Sequence, residues 1–280
     1  MDTPNILELA HITKALPKAV ALEDVSFQVA TGSIHGLVGD TGSGRHTLMR
    51  ILAGLYPAAT YEGQILYDGQ LLLLKEPRDA ICSGIGVVPR KGGVFDSLSV
   101  AENIMVMSWQ ARRRFFVTGG QMESQAAAVM DKWGIDIDPH RPAGGLTPTQ
   151  KREVMILRAL CIDPRLVVLE EPLADLSNVQ AVSQIMWLIR RMVERGLTVL
   201  YMARRPASAI QVADRITALR DGRVAGGWER ADFDETTMLT AMLSQRMGEL
   251  GDFEGELTEE PRGILGSLRN SLGRVFGGDR

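Results

Sequence analysis

Gly39-Asp40-Thr41-Gly42-Ser43-Gly44-Arg45-His46-Thr47 stands between a short apolar run, Ile34 to Val38, and a segment of helical period that begins at Arg45. Glycines at this spacing let the backbone curl so that several N–H groups face one point. A helix that starts there adds partial positive charge, and the two together favour a phosphate group. The usual form of such a loop is G-x-x-x-x-G-K-[ST], in which the lysine reaches the outer phosphates and the hydroxyl holds Mg²⁺. In this chain the lysine position carries Arg45 and the hydroxyl position carries His46. Taken alone, the segment reads either as a phosphate cradle or as a glycine-rich strand-to-helix turn that binds nothing.

Two further segments bear on that choice. Leu166-Val167-Val168-Leu169 is an apolar strand that ends in two carboxylates, Glu170 and Glu171, and then Pro172. Upstream, Leu146-Thr147-Pro148-Thr149-Gln150 precedes a helix containing Leu157-Arg158-Ala159-Leu160 and a loop with Asp163-Pro164-Arg165. The order of glycine loop, L-x-x-x-Q segment and acid-tipped strand resembles the ATPases of ABC transporters, and no N-K-x-D guanine motif is present. Tyr61 to Ile65, Leu98 to Ile104, Gly134 to Asp138 and Leu219 to Arg223 are similar to stretches of the sugar-uptake type, which serves ribose, xylose and related substrates. The resemblance runs over residues 5–245 and is nearest to the first half of proteins that usually carry two such domains.

The resemblance implies an α/β fold of the P-loop NTPase kind, with an antiparallel β subdomain and an inserted helical subdomain at about 98–160. Residues 1–248 would form the ATPase-like domain and 249–280 a tail. It implies ATP as the ligand, a permease as membrane partner, and a second ABC ATPase in a head-to-tail dimer whose composite sites pair one chain's phosphate loop with the other's signature. Residue by residue, Gly39, Thr41, Gly42, Ser43, Gly44, Arg45, His46 and Thr47 fall on the phosphate loop. Arg90 falls on the Q-loop glutamine, Glu170 on the metal-side acid, Glu171 on the base that polarises water, Ser177 on the D-loop acid and Arg204 on the switch histidine. Leu146, Thr147, Pro148, Thr149 and Gln150 fall on the signature, and Leu16 on the ring that stacks against adenine.

Most of these positions depart from the family pattern. Arginine is planar and bulkier than lysine, so Arg45 is no simple replacement. Imidazole is a poor ligand for Mg²⁺, which takes hard oxygens. Pro148 lacks a backbone donor. Phosphoryl transfer depends on positioning and electrostatics, so the expectation is a subunit that binds ATP with impaired hydrolysis, with Glu171 either a retained relic or a working base. It would work beside an intact ATPase, as a heterodimer more readily than a homodimer. The alternative is a non-hydrolysing scaffold or regulator. The resemblance further places Arg45, Arg90 and Arg204 around one γ-phosphate. Three guanidiniums there would repel one another without an anion, so the expectation is a site that holds a triphosphate with little need for Mg²⁺, the rival being a decayed site whose arginines point into solvent and whose pocket is empty or blocked.

The elements that must carry these residues follow from periodicity. Strands are expected at Ile6 to Ile12, Val20 to Val29, Ile34 to Val38, Gln64 to Tyr67, Ile85 to Val88, Leu166 to Leu169 and Thr198 to Met202. Helices are expected from Arg45 to Leu55, within Val100 to Trp133, and at Gln150 to Cys161, Val179 to Arg195 and Ala207 to Ala213, with a hairpin about Asp221-Gly222. Such alternation argues for a mostly parallel sheet with right-handed crossovers, and the opening strands and late hairpin would add an antiparallel edge.

Composition sets the outer limits. The 280 residues are 45% hydrophobic and 23% charged, which excludes a disordered, collagenous or wholly coiled-coil chain. Lys+Arg number 31 against 34 Asp+Glu, a net charge of −3, so the basic footprint of a nucleic-acid binder is missing. Cys82 and Cys161 both read as buried thiols of a reducing compartment. The four histidines show no metal spacing, and Met105, Met107, Met130, Met155 and Met186 read as core filler. No secretory signal and no run of about 18 apolar residues is seen, so a cytoplasmic protein, peripheral on the inner face of the membrane, is expected. Arg112-Arg113-Arg114-Phe115-Phe116 reads as a solvated turn or as a contact for lipid head groups or a permease loop. In the tail, Ile264, Leu265, Leu268, Leu272, Val275 and Phe276 with Arg262, Arg269 and Arg274 read either as a basic amphipathic helix or as a frayed end.

Overall fold

The computed structural model describes residues 4–17, 19–112 and 119–251. The Arg113–Phe116 part of the basic-aromatic segment and the tail stripe from Arg262 to Phe276 lie outside the described residues. Among the described residues ten strands run in order: β1 Asn5–Leu16, β2 Ala19–Ala30, β3 Ile34–Val38, β4 Glu62–Tyr67, β5 Gln70–Leu71, β6 Ile85–Val88, β7 Leu166–Glu170, β8 Thr198–Ala203, β9 Arg215–Arg220 and β10 Arg223–Glu229. Eight helices accompany them among the same residues: α1 Arg45–Leu52, α2 Pro77–Cys82, α3 Val100–Arg112, α4 Gly119–Trp133, α5 Pro148–Leu160, α6 Val179–Glu194, α7 Pro206–Ile210 and α8 Glu235–Gly251. The chain divides into two units, Met1–Met242 and Leu243–Arg280.

The strands form two sheets. The larger has the order β10-β9-β3-β8-β7-β6 and is parallel except for β10. The smaller, β2-β1-β4-β5, is antiparallel. The opening strands therefore make a sheet of their own, and only the late hairpin forms the antiparallel edge of the main one. β3, β7 and β8 are buried along their whole length, as a parallel strand covered on both faces must be. Alternation then sorts their side chains between two cores. Leu37, Val168, Leu200 and Met202 point toward α1 and the smaller sheet, where Leu48, Ile51, Leu52, Leu9 and Val25 wait. Val38, Val167, Leu169, Val199 and Tyr201 point toward the helical side, with Trp133, Ile156, Leu157 and Ile189.

Several bounds differ from the sequence reading. α1 stops at Leu52 because Gly54 turns the chain with φ +69, and a Cβ there would stand 2.5 Å from the Glu76 carbonyl oxygen. α5 starts two residues early, at Pro148, because Thr147 and Gln150 form a capping box. α2, β5 and α8 come as additions. Cys161 is buried, but Cys82 is exposed, because it ends α2 on the side away from the inward-facing Ala80 and Ile81. Met105, Met130, Met155 and Met186 are buried and Met107 is partly buried against the same core.

His35 on β3 gives the fold a measurable acid sensitivity. It is 1% exposed, its Nε2 lies 2.9 Å from Thr217 Oγ1, and its ring stacks on Phe27. Burial, and then the charge of Arg215, push its pKa down to about 3. The unfolded chain binds that proton below about pH 6.5 and the folded chain does not, so stability is complete above that pH and falls as the pH drops. Between pH 7 and pH 5 the loss is about 2 kcal/mol. Urea unfolding of His35→Gln, which keeps a polar group for Thr217, should show that much less acid destabilisation than the parent. Equal losses in the two proteins would remove His35 as the cause.

Candidate functional site

Strand register gathers the site. Val38 pairs with Ala203, Glu170 with Met202, and Val88 with Leu169, so the chain leaves β3, β8, β7 and β6 side by side at their carboxyl ends. Crevices at that end of a parallel sheet are the usual place for a ligand. A cavity of about 380 Å³ opens there, lined by Asp40 to Thr47, Arg90, Glu170, Glu171 and Arg204, with Leu16, Val20 and Ala21 on another wall. Twelve sequence-predicted positions thus meet in one place: Leu16, Thr41, Gly42, Ser43, Gly44, Arg45, His46, Thr47, Arg90, Glu170, Glu171 and Arg204. Gly39 stands just before them, and a Cβ there would press to 2.5 Å on Ser43 Oγ and the Leu219 carbonyl oxygen.

The glycine loop has the form of an anion cradle. Gly42 and Gly44 take φ +88 and +96, and a Cβ on Gly44 would stand 2.5 Å from the Ala21 carbonyl oxygen. α1 then begins with no side-chain cap on Gly44 and no acid in its first turn, so its leading N–H groups are left for another acceptor. Ser43 is 4% exposed and its Oγ has no hydrogen-bond partner. The Nε atoms of Arg45 and Arg90 are likewise buried without one. Buried donors normally find acceptors, and phosphate oxygens would supply them.

The charged groups are arranged otherwise than the sequence led one to expect. Arg45, 8% exposed, reaches the Glu171 carboxylate, Nη1 to Oε1 3.3 Å. Burial lowers the Arg45 pKa, the charge and hydrogen bond of Glu171 act against that, and Arg204 adds to the lowering. Arg204 pairs with Asp40, Nη2 to Oδ1 3.0 Å, in a contact half open to solvent. The expected crowd of uncompensated guanidiniums is therefore corrected: two of the three have a carboxylate, and among the described residues no ion pair holds Arg90. Asp40 was missed by sequence reasoning, though it sits inside the glycine loop itself.

Glu170 and Glu171 are both engaged. Glu170 Oε1 lies 2.7 Å from His46 Nδ1, and Oε2 accepts the Arg90 backbone N–H at 3.1 Å. Glu171 takes φ +47 and donates its N–H to the Met202 carbonyl at 2.8 Å. A non-glycine residue in that region is strained and is held there by its surroundings. These groups do not suit Mg²⁺: the hydroxyl ligand is replaced by an imidazole, and that imidazole already bonds the acid that would share the metal. Among the described residues no three His, Cys, Asp or Glu side chains are grouped to hold a metal ion.

Thr147, Pro148, Thr149 and Gln150 lie apart from this cavity. They line a second one of about 430 Å³ with Ser177, Asn178 and Gln184, and Leu146 is buried behind them. Thr147 Oγ1 accepts the Gln150 N–H at 3.2 Å and Gln150 Oε1 accepts the Thr147 N–H at 3.1 Å. The T-P-T-Q spacing is itself a capping-box signal.

Comparison with known proteins places this arrangement. The family profile described as ABC transporter matches residues 22–174. The ribose import ATP-binding protein RbsA of Yersinia pestis is 34% identical over 269 residues, 96% of this chain and 51% of the relative. The xylose import ATP-binding protein XylG of Moorella thermoacetica is 31% identical over 265 residues, 95% and 52% respectively. Among solved structures, the ADP conformation of MJ1267, an ATP-binding cassette of an ABC transporter, superposes with a TM-score of 0.74 at 21% identity, covering 88% of this chain and 98% of that one. The dimeric structure of MJ0796, a bacterial ABC transporter cassette, gives 0.68 at 23% identity, covering 81% and 100%. The chain belongs to the ABC transporter family, with the α/β fold of its ATP-binding cassettes. It spans about half the length of the curated relatives it matches. No helix among the described residues is long and apolar enough to cross a membrane.

Proposed function

We propose that this chain is a nucleotide-binding subunit of an ABC importer for sugars or related small polar solutes, and that it holds ATP with little hydrolysis of its own. The sugar-import relatives support the substrate class. The glycine cradle, the uncapped start of α1 and the unpartnered Ser43 Oγ support a phosphate ligand. The Arg45–Glu171 ion pair carries the rest: the carboxylate in the place of a general base has its Oε1 held by a buried guanidinium instead of facing a water. Removing a positioned base typically costs about 10²–10⁴ in rate. The altered Arg90 and Arg204 positions act in the same direction, because groups that would orient the water are now cations. The subunit would sit at the inner face of the membrane beside a permease and a second, intact ATPase.

ATP binding and phosphate release by the purified chain test this. Binding is expected, with phosphate release no more than about twofold above buffer. Steady turnover that Glu171→Gln abolishes would overturn the reading.

A further inference from the structure

We propose that this site takes a triphosphate tail without a divalent cation, Arg45, Arg90 and Arg204 supplying the positive charge that a metal would otherwise bring. The inference rests on the nucleotide-binding reading above and goes beyond it by naming what the site requires of its ligand.

Three features lead to it. The place of a metal is taken: Glu170 commits one oxygen to His46 Nδ1 at 2.7 Å and the other to the Arg90 N–H at 3.1 Å. The anion's place is marked: Ser43 lines the cavity at the uncapped N-terminus of α1, and its Oγ is buried without a hydrogen-bond partner. Finally, the cations have donors in reserve. Arg45 uses Nη1 on Glu171 and leaves its buried Nε without a partner, as Arg90 leaves its own. A guanidinium carries five N–H donors in a fixed fork. It can keep a carboxylate on one side and donate to a phosphate oxygen on the other, in charge-assisted bonds well matched to phosphate. Three arginines line the pocket with Asp40, Glu170 and Glu171, and two of the three have a carboxylate partner. The Arg204–Asp40 pair is half exposed, and such pairs are weak enough to be exchanged for a phosphate.

The other wall points to the same part of the ligand. Leu16, Val20 and Ala21 offer neither a ring nor a polar side chain to a base. Affinity would therefore lie in the phosphates, with ATP and inorganic tripolyphosphate competing for the site and AMP failing to displace either.

Equilibrium binding of ATP to the full chain, in excess Mg²⁺ and again in EDTA, decides the matter. The two dissociation constants are expected to agree within about threefold. A loss of about tenfold or more in EDTA overturns the inference while leaving nucleotide binding intact. No ATP binding in either buffer overturns the nucleotide-binding reading itself. Failure of tripolyphosphate to compete shows that the base is needed and removes the phosphate-led account. His46→Ser, which frees Glu170 and returns a hydroxyl, should bind about tenfold more tightly with Mg²⁺ than with EDTA. If it stays indifferent to Mg²⁺, His46 is not what excludes the metal and the explanation fails.

Discussion

Glu171→Ala is expected to lower the stability of the fold by about 3 kcal/mol. The side chains of Arg45 and Glu171 are only 9% and 17% exposed, and they meet at 3.3 Å. Deleting the carboxylate leaves a largely buried guanidinium that keeps its charge and has lost its partner. Truncating one member of a buried pair costs far more than exchanging both for apolar groups. Arg45→Met should therefore also destabilise, and the double variant should recover part of the loss, with a coupling of about 1–3 kcal/mol in the cycle. A carboxylate kept for catalysis behaves in the opposite way. Its removal costs rate and leaves the fold as stable as before, or more so, because active-site charges are held at the expense of stability. Urea unfolding of the four proteins reads the difference directly. A Glu171→Ala chain as stable as its parent would mean that the ion pair contributes nothing, and Glu171 would return to the role of a free base.

Much of the frame was legible in the chain. β3, β7 and β8 are short and mainly apolar, interrupted only by His35, Glu170 and Thr198, so burial on both faces in a parallel sheet could be expected of them. The glycine loop between a strand and a helix could be placed for the same reason. Shorter or weaker signals were lost. α2 is six residues long, too short for a helical period to show, and is recognisable only from Pro77 and the capping box of Glu76 with Asp79. In α8 the buried Met238 and Met242 lie four apart, a signal present but thin.

The site was legible as a set of positions and not as a set of contacts. Arg45 and Glu171 are 126 residues apart, and His46 and Glu170 are 124. Whether such charges meet or point away depends on which strands neighbour which, and sequence spacing carries no trace of it. Reading arginines as replacements for catalytic residues counted the cations and overlooked the acids that face them. Asp40 is the plainest case: it belongs to the loop, yet its role as the partner of Arg204 depends on where β8 ends. Thr147 to Gln150, read as a signature that had lost its glycines, also make a well-formed helix start in which the Thr147 and Gln150 side chains each accept the other residue's backbone N–H.

That helix start bears on a second large effect, expected in a complex with an intact ATPase of the same kind. Turnover there should depend on the partner's carboxylate and scarcely on Glu171. In a head-to-tail pair, each nucleotide lies between one chain's phosphate loop and the other's signature. The site built on this chain's loop has Glu171 bound to Arg45 and Glu170 bound to His46. The site built on the partner's loop would keep its own base and metal ligands. From this chain it would meet the Thr147–Gln150 turn, in which Pro148 offers no N–H and the Gln150 N–H is already given to Thr147. Chemistry in the second site thus needs little from this chain beyond closure of the dimer. Replacing the partner's catalytic carboxylate by the amide should cut phosphate release about 10²-fold or more, while Glu171→Gln in this chain changes it by less than about twofold. Glutamine keeps the shape and a hydrogen bond for Arg45, so loss of the complex need not accompany loss of the charge, and size-exclusion chromatography verifies that. Comparable losses from the two substitutions would show that both sites turn over, and the Arg45–Glu171 pair would then have to open during the cycle.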